Sequence, residues 1–227
     1  DVYRPKDISG DLPVIISVHG GGWVYGDKER YQYYCMELAL KGFAVVNFTY
    51  RLAPEFKFPS PVEDTARVFE WVFDNATKYG FDIKHVFAVG DSAGAQILGS
   101  YMALLTNFSF EALLKRDYGL CLSRKILTRR QYEKLGADGC NKRLIVDAVA
   151  LSCGVYKLDE DEKLMYDYLE NHGTAQELEY MNIPQYIGES YPDVFLMTCY
   201  GDFLIEQPRY MMEALDKVRV PYHHKVY

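Results

Sequence analysis

Along the chain, hydrophobic residues come in short unbroken runs separated by longer stretches where they recur every three or four positions. The runs at 14–18, 43–49, 85–89, 145–151 and 194–199 read as buried strands, and 222–227 alternates as a further strand. Between the first two, 29–40 reads as a helix that Gly42 stops. Ser60-Pro61-Val62-Glu63 spells a capping box, with proline at the first helical position. The helix it opens carries Val62, Ala66, Phe69 and Phe73 on one face. Another helix follows Ser92 through Ile97, Tyr101 and Leu104, and a last one covers 207–218 with Met211, Met212 and Leu215 inward. Strands alternating with helices predict an α/β fold, a mostly parallel sheet with helices on both faces.

Two stretches break the alternation, and their charges are opposite. Residues 107–143 hold nine Lys/Arg against four Asp/Glu, or about +5. Residues 157–180 hold eight Asp/Glu against two Lys, or −6. In the first, Thr128-x-x-Gln131 reads as a capping box for a short helix that Gly136 ends. Both leave the sheet near the strand at 145–151. They are expected to be cap- or lid-like insertions, at about 107–143 and 157–190, on a single domain spanning 1–227.

Composition narrows the function. Of the 227 residues, 49% are hydrophobic, enough for one sizeable core. The net charge of −7 argues against a nucleic-acid partner. No apolar run approaches membrane-spanning length, and no signal-peptide pattern opens the chain. Cys35, Cys121, Cys140, Cys153 and Cys199 are odd in number and lack metal-ligand spacing. They read as reduced, mostly buried thiols of a cytoplasmic protein, with no metal expected. The chain opens in mid-strand at Asp1, which suggests truncation there.

The chemistry begins at Ala88-Val89-Gly90-Asp91-Ser92-Ala93-Gly94-Ala95-Gln96. Gly90-x-Ser92-x-Gly94 falls where a strand gives way to a helix. A nucleophile elbow needs this spelling, because side chains flanking the serine would collide with neighbouring backbone. Upstream, Val18-His19-Gly20-Gly21-Gly22-Trp23 places three glycines after another strand, a costly use of backbone freedom. Acyl transfer supplies a reason for them. Its tetrahedral intermediate carries an oxyanion, and each backbone N–H aimed at it is worth about 3 kcal/mol. The N–H groups of Gly21, Gly22 and Ala93 are therefore the expected oxyanion hole.

His19–Trp23, Tyr50-Arg51-Leu52-Ala53-Pro54-Glu55 and Gly90–Gly94 together resemble the hormone-sensitive-lipase-like branch of the α/β-hydrolases. The resemblance covers about 1–94 and 194–227. It implies the α/β-hydrolase fold, hydrolysis of small-molecule carboxylic esters with short acyl or acetyl groups, no cofactor, and a possible homodimer. It also implies that Arg51 and Glu55 are buried and paired. Tyr200-Gly201-Asp202-Phe203-Leu204 matches the family position of the triad acid, so Asp202 joins Ser92 as an expected catalytic residue, with Glu206 as its rival.

The histidine that should complete such a triad is harder to place. Only His223 and His224 follow Asp202, and both fall in the segment read as the last strand. The general base is expected beyond Tyr227, with the chain truncated at both ends. The alternative is a non-catalytic ligand-binding protein on the same fold, as in the plant gibberellin receptors, which resemble this family and lack its histidine.

Overall fold

The structure is a computed structural model and describes residues 1–136, 143–158 and 167–227. Parts of both insertions, Cys140 among them, lie outside the described residues. The strands are β1 (Val2–Tyr3), β2 (Leu12–Val18), β3 (Ala44–Phe48), β4 (Phe81–Asp91), β5 (Ile126–Thr128), β6 (Leu144–Ser152), β7 (Asp193–Thr198) and β8 (Tyr222–Val226). They form one sheet in the order β1-β3-β2-β4-β6-β7-β8, with β5 beside the start of β6. Every pairing is parallel except β1 with β3. All the long strands therefore end at one edge, where an open α/β sheet binds its ligands.

The helices are α1 (Gln32–Leu40), α2 (Ser60–Asp74), α3 (Ala76–Tyr79), α4 (Ala93–Thr106), α5 (Phe108–Tyr118), α6 (Arg129–Leu135), α7 (Ala175–Met181) and α8 (Gln207–Val218). On one face of the sheet, Cys35 and Ala39 of α1 pack on Ile15 and Val45. On the other, α2, α4 and α8 pack on Val14, Ile16, Val86, Val149 and Leu196 to form the main core. Every residue from 93 to 105 of α4 is buried, which is why its sequence is apolar on all sides. Its one amide, Gln96, accepts from Trp23 Nε1 and donates to Ser100 Oγ. That bond ties the glycine-rich loop to the helix behind it.

Three local expectations change. The helix at Ser60 starts as expected, but Pro59 occupies the cap position and no side chain caps it. Glu63, the other half of the anticipated box, instead binds Arg51 at 2.6 Å and Arg67 at 2.7 Å. Glu55 is exposed rather than buried. Arg51 finds its carboxylates near the start of α2, bonding Asp64 through both Nε and its backbone N–H, each at 2.9 Å. Those bonds hold its guanidinium above its ordinary pKa. The thiols are also less buried than expected. Of the described four only Cys35 is buried, while Cys121 and Cys199 are exposed.

The two insertions meet, but not mainly by charge. Phe110 stacks on Tyr186 with ring centroids 3.9 Å apart, and Tyr118 stands edge-on to Tyr180. Asp117 accepts hydrogen bonds from Gln176 and from the Tyr180 hydroxyl. The exposed pair Lys134–Glu189, at 3.4 Å, is a minor addition. Solvated ion pairs contribute about 0–1 kcal/mol each, less than burying an aromatic ring. The expected box at Thr128 and Gln131 is formed, and Gly136 follows α6 at φ 72.

Replacing Arg51 by Ala leaves the Asp64 carboxylate without its partner and is expected to cost about 1–2 kcal/mol. Glu55→Ala should stay within about 0.5 kcal/mol of wild type. Urea denaturation of the two variants checks this; equal midpoints would contradict the observed pairing.

Candidate active site

Ser92 caps α4 directly after β4, with φ 53 and ψ −117. A non-glycine residue in this region costs about 1–3 kcal/mol and persists only where its surroundings enforce it. The enforcement is visible. The Ser92 N–H donates to Ser152 O of β6 at 2.8 Å. A Cβ on Gly94 would lie 2.2 Å from Val18 O and 2.4 Å from His19 O, and one on Gly90 would lie 2.6 Å from Gly94 O. Gly94 is required because the first turn of α4 rests on the end of β2, and Gly90 because that same turn folds back onto the end of β4. Ser92 itself is half-buried.

The glycine-rich loop crosses this elbow. A Cβ on Gly20 would sit 2.8 Å from Asp91 Oδ2, and Gly21, at φ 132, has Tyr25 O where its Cβ would be. Gly21 O accepts from Val24 and Tyr25 N–H, so the loop closes in a tight turn. Tyr31, sixty residues from Asp91, fastens it: its hydroxyl donates to Asp91 Oδ2 at 2.5 Å and accepts from Gly20 N–H at 3.1 Å. Burial and that carboxylate push the Tyr31 phenol well above its usual pKa. Gly20 N–H is thereby engaged. Among the described residues, nothing accepts from the N–H of Gly21, Gly22 or Ala93.

Asp202 lies beyond β7. Its Oδ1 accepts from Leu204 N–H at 3.0 Å and its Oδ2 from Thr198 Oγ1 at 3.2 Å. β6 separates β4 from β7, so the ends that carry Ser92 and Asp202 are two strand spacings apart, about 10 Å. Between them stands a residue that the sequence reading passed over. Cys153, at φ 48, follows β6, and its N–H donates to Met197 O at 2.8 Å. Burial first, then its hydrogen bond to Asp202, pushes the Cys153 thiol up to about 12. Its position one residue past the strand neighbouring the elbow was the available signal.

The histidines sit elsewhere. His19 is buried, stacks on Tyr50 at 4.1 Å and has Nδ1 2.8 Å from Gly20 O. That carbonyl can only accept, so Nδ1 carries the proton. His85 pairs with Asp82 near the start of β4. His172 lies in the turn before α7. His223 and His224 are inside β8, opposite Phe195 and Leu196, as the alternation predicts. A cavity of about 370 Å³ under the elbow is lined by Tyr31, Asp91, Ser152 and Met197 and does not reach Ser92.

The chain and its fold have known counterparts. The family model described as BD-FAE matches residues 1–134. The chain belongs to the BD-FAE family. It is 36% identical over 97 residues to versiconal hemiacetal acetate esterase of Dothistroma septosporum, covering 42% of this chain and 30% of that protein. It is 26% identical over 230 residues to an acetyl esterase of Salmonella schwarzengrund, covering 100% of this chain and 66% of the relative. Against a phosphonate-inhibited esterase B from Lactobacillus rhamnosis, the TM-score is 0.79 at 25% identity, over 99% of this chain and 67% of the other. This BD-FAE chain thus has the α/β-hydrolase fold, and it spans about a third of the first of these relatives.

Two outcomes follow from the geometry. Gly94→Ala should cost about 3 kcal/mol or more, since backbone carbonyls cannot move aside; a denaturation midpoint near wild type would contradict the close approach. His19 gives a pH dependence. Burial holds its imidazole below the usual value of 6.5, so the unfolded chain binds the proton more readily. Stability is then complete above about pH 6.5 and falls as the pH drops below it. Asp117, held at about 2 by Arg116 and then Tyr180, titrates far below that window. The melting temperature should fall between pH 7 and pH 5, and His19→Gln should flatten the slope.

Proposed function

We propose that this chain carries the nucleophile and the acid of a serine carboxylic ester hydrolase. The observation that carries the reading is the forced elbow at Ser92, beside three backbone N–H groups without acceptors among the described residues. Ser92 Oγ attacks the ester carbonyl while an imidazole takes its proton. The N–H groups of Gly21, Gly22 and Ala93 hold the oxyanion, and collapse expels the alcohol and leaves an acyl-serine. Water, activated by the same imidazole, then releases the acid. Asp202, about two strands away, orients the imidazole. His19 and His85 are engaged elsewhere, His172 lies in the turn before α7, and His223 and His224 are inside β8, so the reading takes the base from beyond Tyr227.

Short acyl esters, acetyl esters first, are the proposed substrates, in line with the acetate and acetyl esterases among the relatives. The two insertions form a lid. Tyr168 of the second stacks on Trp23 of the glycine-rich loop at 5.0 Å, and Phe58 stands edge-on to both Tyr118 and Tyr168. This aromatic group would bound the acyl side of the site.

In the protein with its full reading frame, Ser92→Ala should lower kcat on p-nitrophenyl acetate by about 10⁴-fold or more. Folding should be unaffected, because Ser92 Oγ makes no hydrogen bond among the described residues. Wild-type turnover by that variant would end the enzyme reading. The 227-residue chain alone should show only the residual rate left by binding and the oxyanion donors, and added imidazole should raise it. Tight binding of a small ligand with no turnover by the longer protein would favour the ligand-binding alternative.

A further inference from the structure

The sequence reading found no metal-ligand spacing among the cysteines, yet folding gathers two of them on one carboxylate. Cys153 Sγ, Cys199 Sγ and a carboxylate oxygen of Asp202 all lie within 4.8 Å of one another. Cys153 and Cys199 are 46 residues apart in sequence, on neighbouring strand ends. Cys199 and Asp202 belong to a single turn, closed by Asp202 N–H on Cys199 O and allowed by Gly201 at φ 88. The turn sets a thiol and a carboxylate three residues apart, the short-loop spacing that chelating pairs use. The adjacent strand supplies the third donor.

We propose that Cys153, Cys199 and Asp202 form a three-ligand site for a thiophilic divalent cation of the Zn²⁺ type. Three chemical features suit that ion. Two sulfurs and one oxygen match its ligand preference and exclude Mg²⁺ and Ca²⁺, which take oxygen donors. With Zn–S near 2.3 Å and Zn–O near 2.1 Å, tetrahedral donors stand roughly 3.5 Å apart, so the present spacing needs only a small contraction. Cys199 is exposed, which leaves an entry path and a fourth position for water.

The shell behind the donors is already ordered. Asp202 is fixed by Leu204 N–H and Thr198 Oγ1, one bond to each oxygen, and each oxygen keeps lone-pair capacity. Cys153 is pinned by its own N–H to Met197 O. Such outer partners typically change metal affinity by about 10–100-fold when removed. Binding replaces the two thiol protons, which pass to solvent, and no electron changes hands. Metal and catalytic imidazole would compete for Asp202; that consequence rests on the proposed function, whereas the site does not.

The test uses the 227-residue chain, reduced with a phosphine, and reads binding rather than turnover. Cd²⁺ should produce a thiolate-to-metal charge-transfer absorption that saturates at one equivalent per chain. Competition with a chromogenic chelator should then give Zn²⁺ affinities for the variants. Cys199→Ser, exposed and so harmless to folding, should weaken Zn²⁺ at least tenfold, as should Cys153→Ser and Asp202→Asn. Cys121→Ser, whose thiol lies elsewhere, should change nothing. Absence of the absorption band in the wild type, or Zn²⁺ affinity unchanged in Cys199→Ser, would overturn the site.

Discussion

The seating of the first turn of α4 on the end of β2 is the contact on which the rest of the site depends. Two backbones approach there more closely than any side chain permits, and Gly94 is the residue that allows it, while Gly90 lets the same turn fold against β4. Given that approach, β4 cannot run smoothly into α4. The turn at Ser92 absorbs the difference as a strained φ, held by the Ser92 N–H bond to Ser152 O. The same seating brings the glycine-rich loop over the elbow, where Gly20 abuts Asp91 and Trp23 reaches Gln96. The strained serine and the three amide donors without acceptors among the described residues thus have one cause.

Parallel pairing extends that cause across the sheet. Asp91 stands opposite Ser152, and Ser152 opposite Met197, so the residues just past three adjacent strands are Ser92, Cys153 and the turn to Asp202. Their lateral spacing is set by hydrogen bonds between strands and needs no side-chain packing of its own. The insertions add Tyr118, Tyr168 and Tyr180 around Phe58, which precedes α2, with Trp23 as the junction's link to the elbow.

Much of this was legible in the chain, for reasons that differ by feature. Buried parallel strands and a mostly apolar, fully buried α4 write themselves as hydrophobic runs, and the elbow writes itself in glycines because only their lack of Cβ fits. The strand character of 222–227 was legible from alternation, although β8 is an edge strand. Features that depend on a distant partner were not legible. The acidic candidates Glu55, Glu63 and Asp64 all follow Arg51, and the choice of Asp64 and Glu63 over Glu55 was made by where α2 begins. Ser60 looked like a cap until Glu63 was drawn to two arginines. Opposite charges in the insertions suggested ion pairing, yet buried rings decide their contact. Tyr31 on Asp91, and Cys153 beside Cys199 and Asp202, are cross-strand meetings that no local spacing encodes.

These differences sort the edge of the sheet into two kinds of position. Gly90, Gly94 and Gly20 are defined by what they lack, and an added methyl group there strikes backbone or a fixed carboxylate. Ser92 Oγ, Cys199 and Asp202 are defined by what they present, and they are half-buried or exposed, with little packing to lose. Folding energy resides in the main core beneath, from Val14 to Leu215, and the glycines, with Trp23 and Ala93, join that core to the edge carrying Ser92. The chemical groups can therefore vary while the fold stays unchanged, whereas the glycines cannot. A site built this way would keep its backbone geometry even if its donors served a second ligand, as the two roles proposed for Asp202, toward an imidazole and toward a pair of thiols, require.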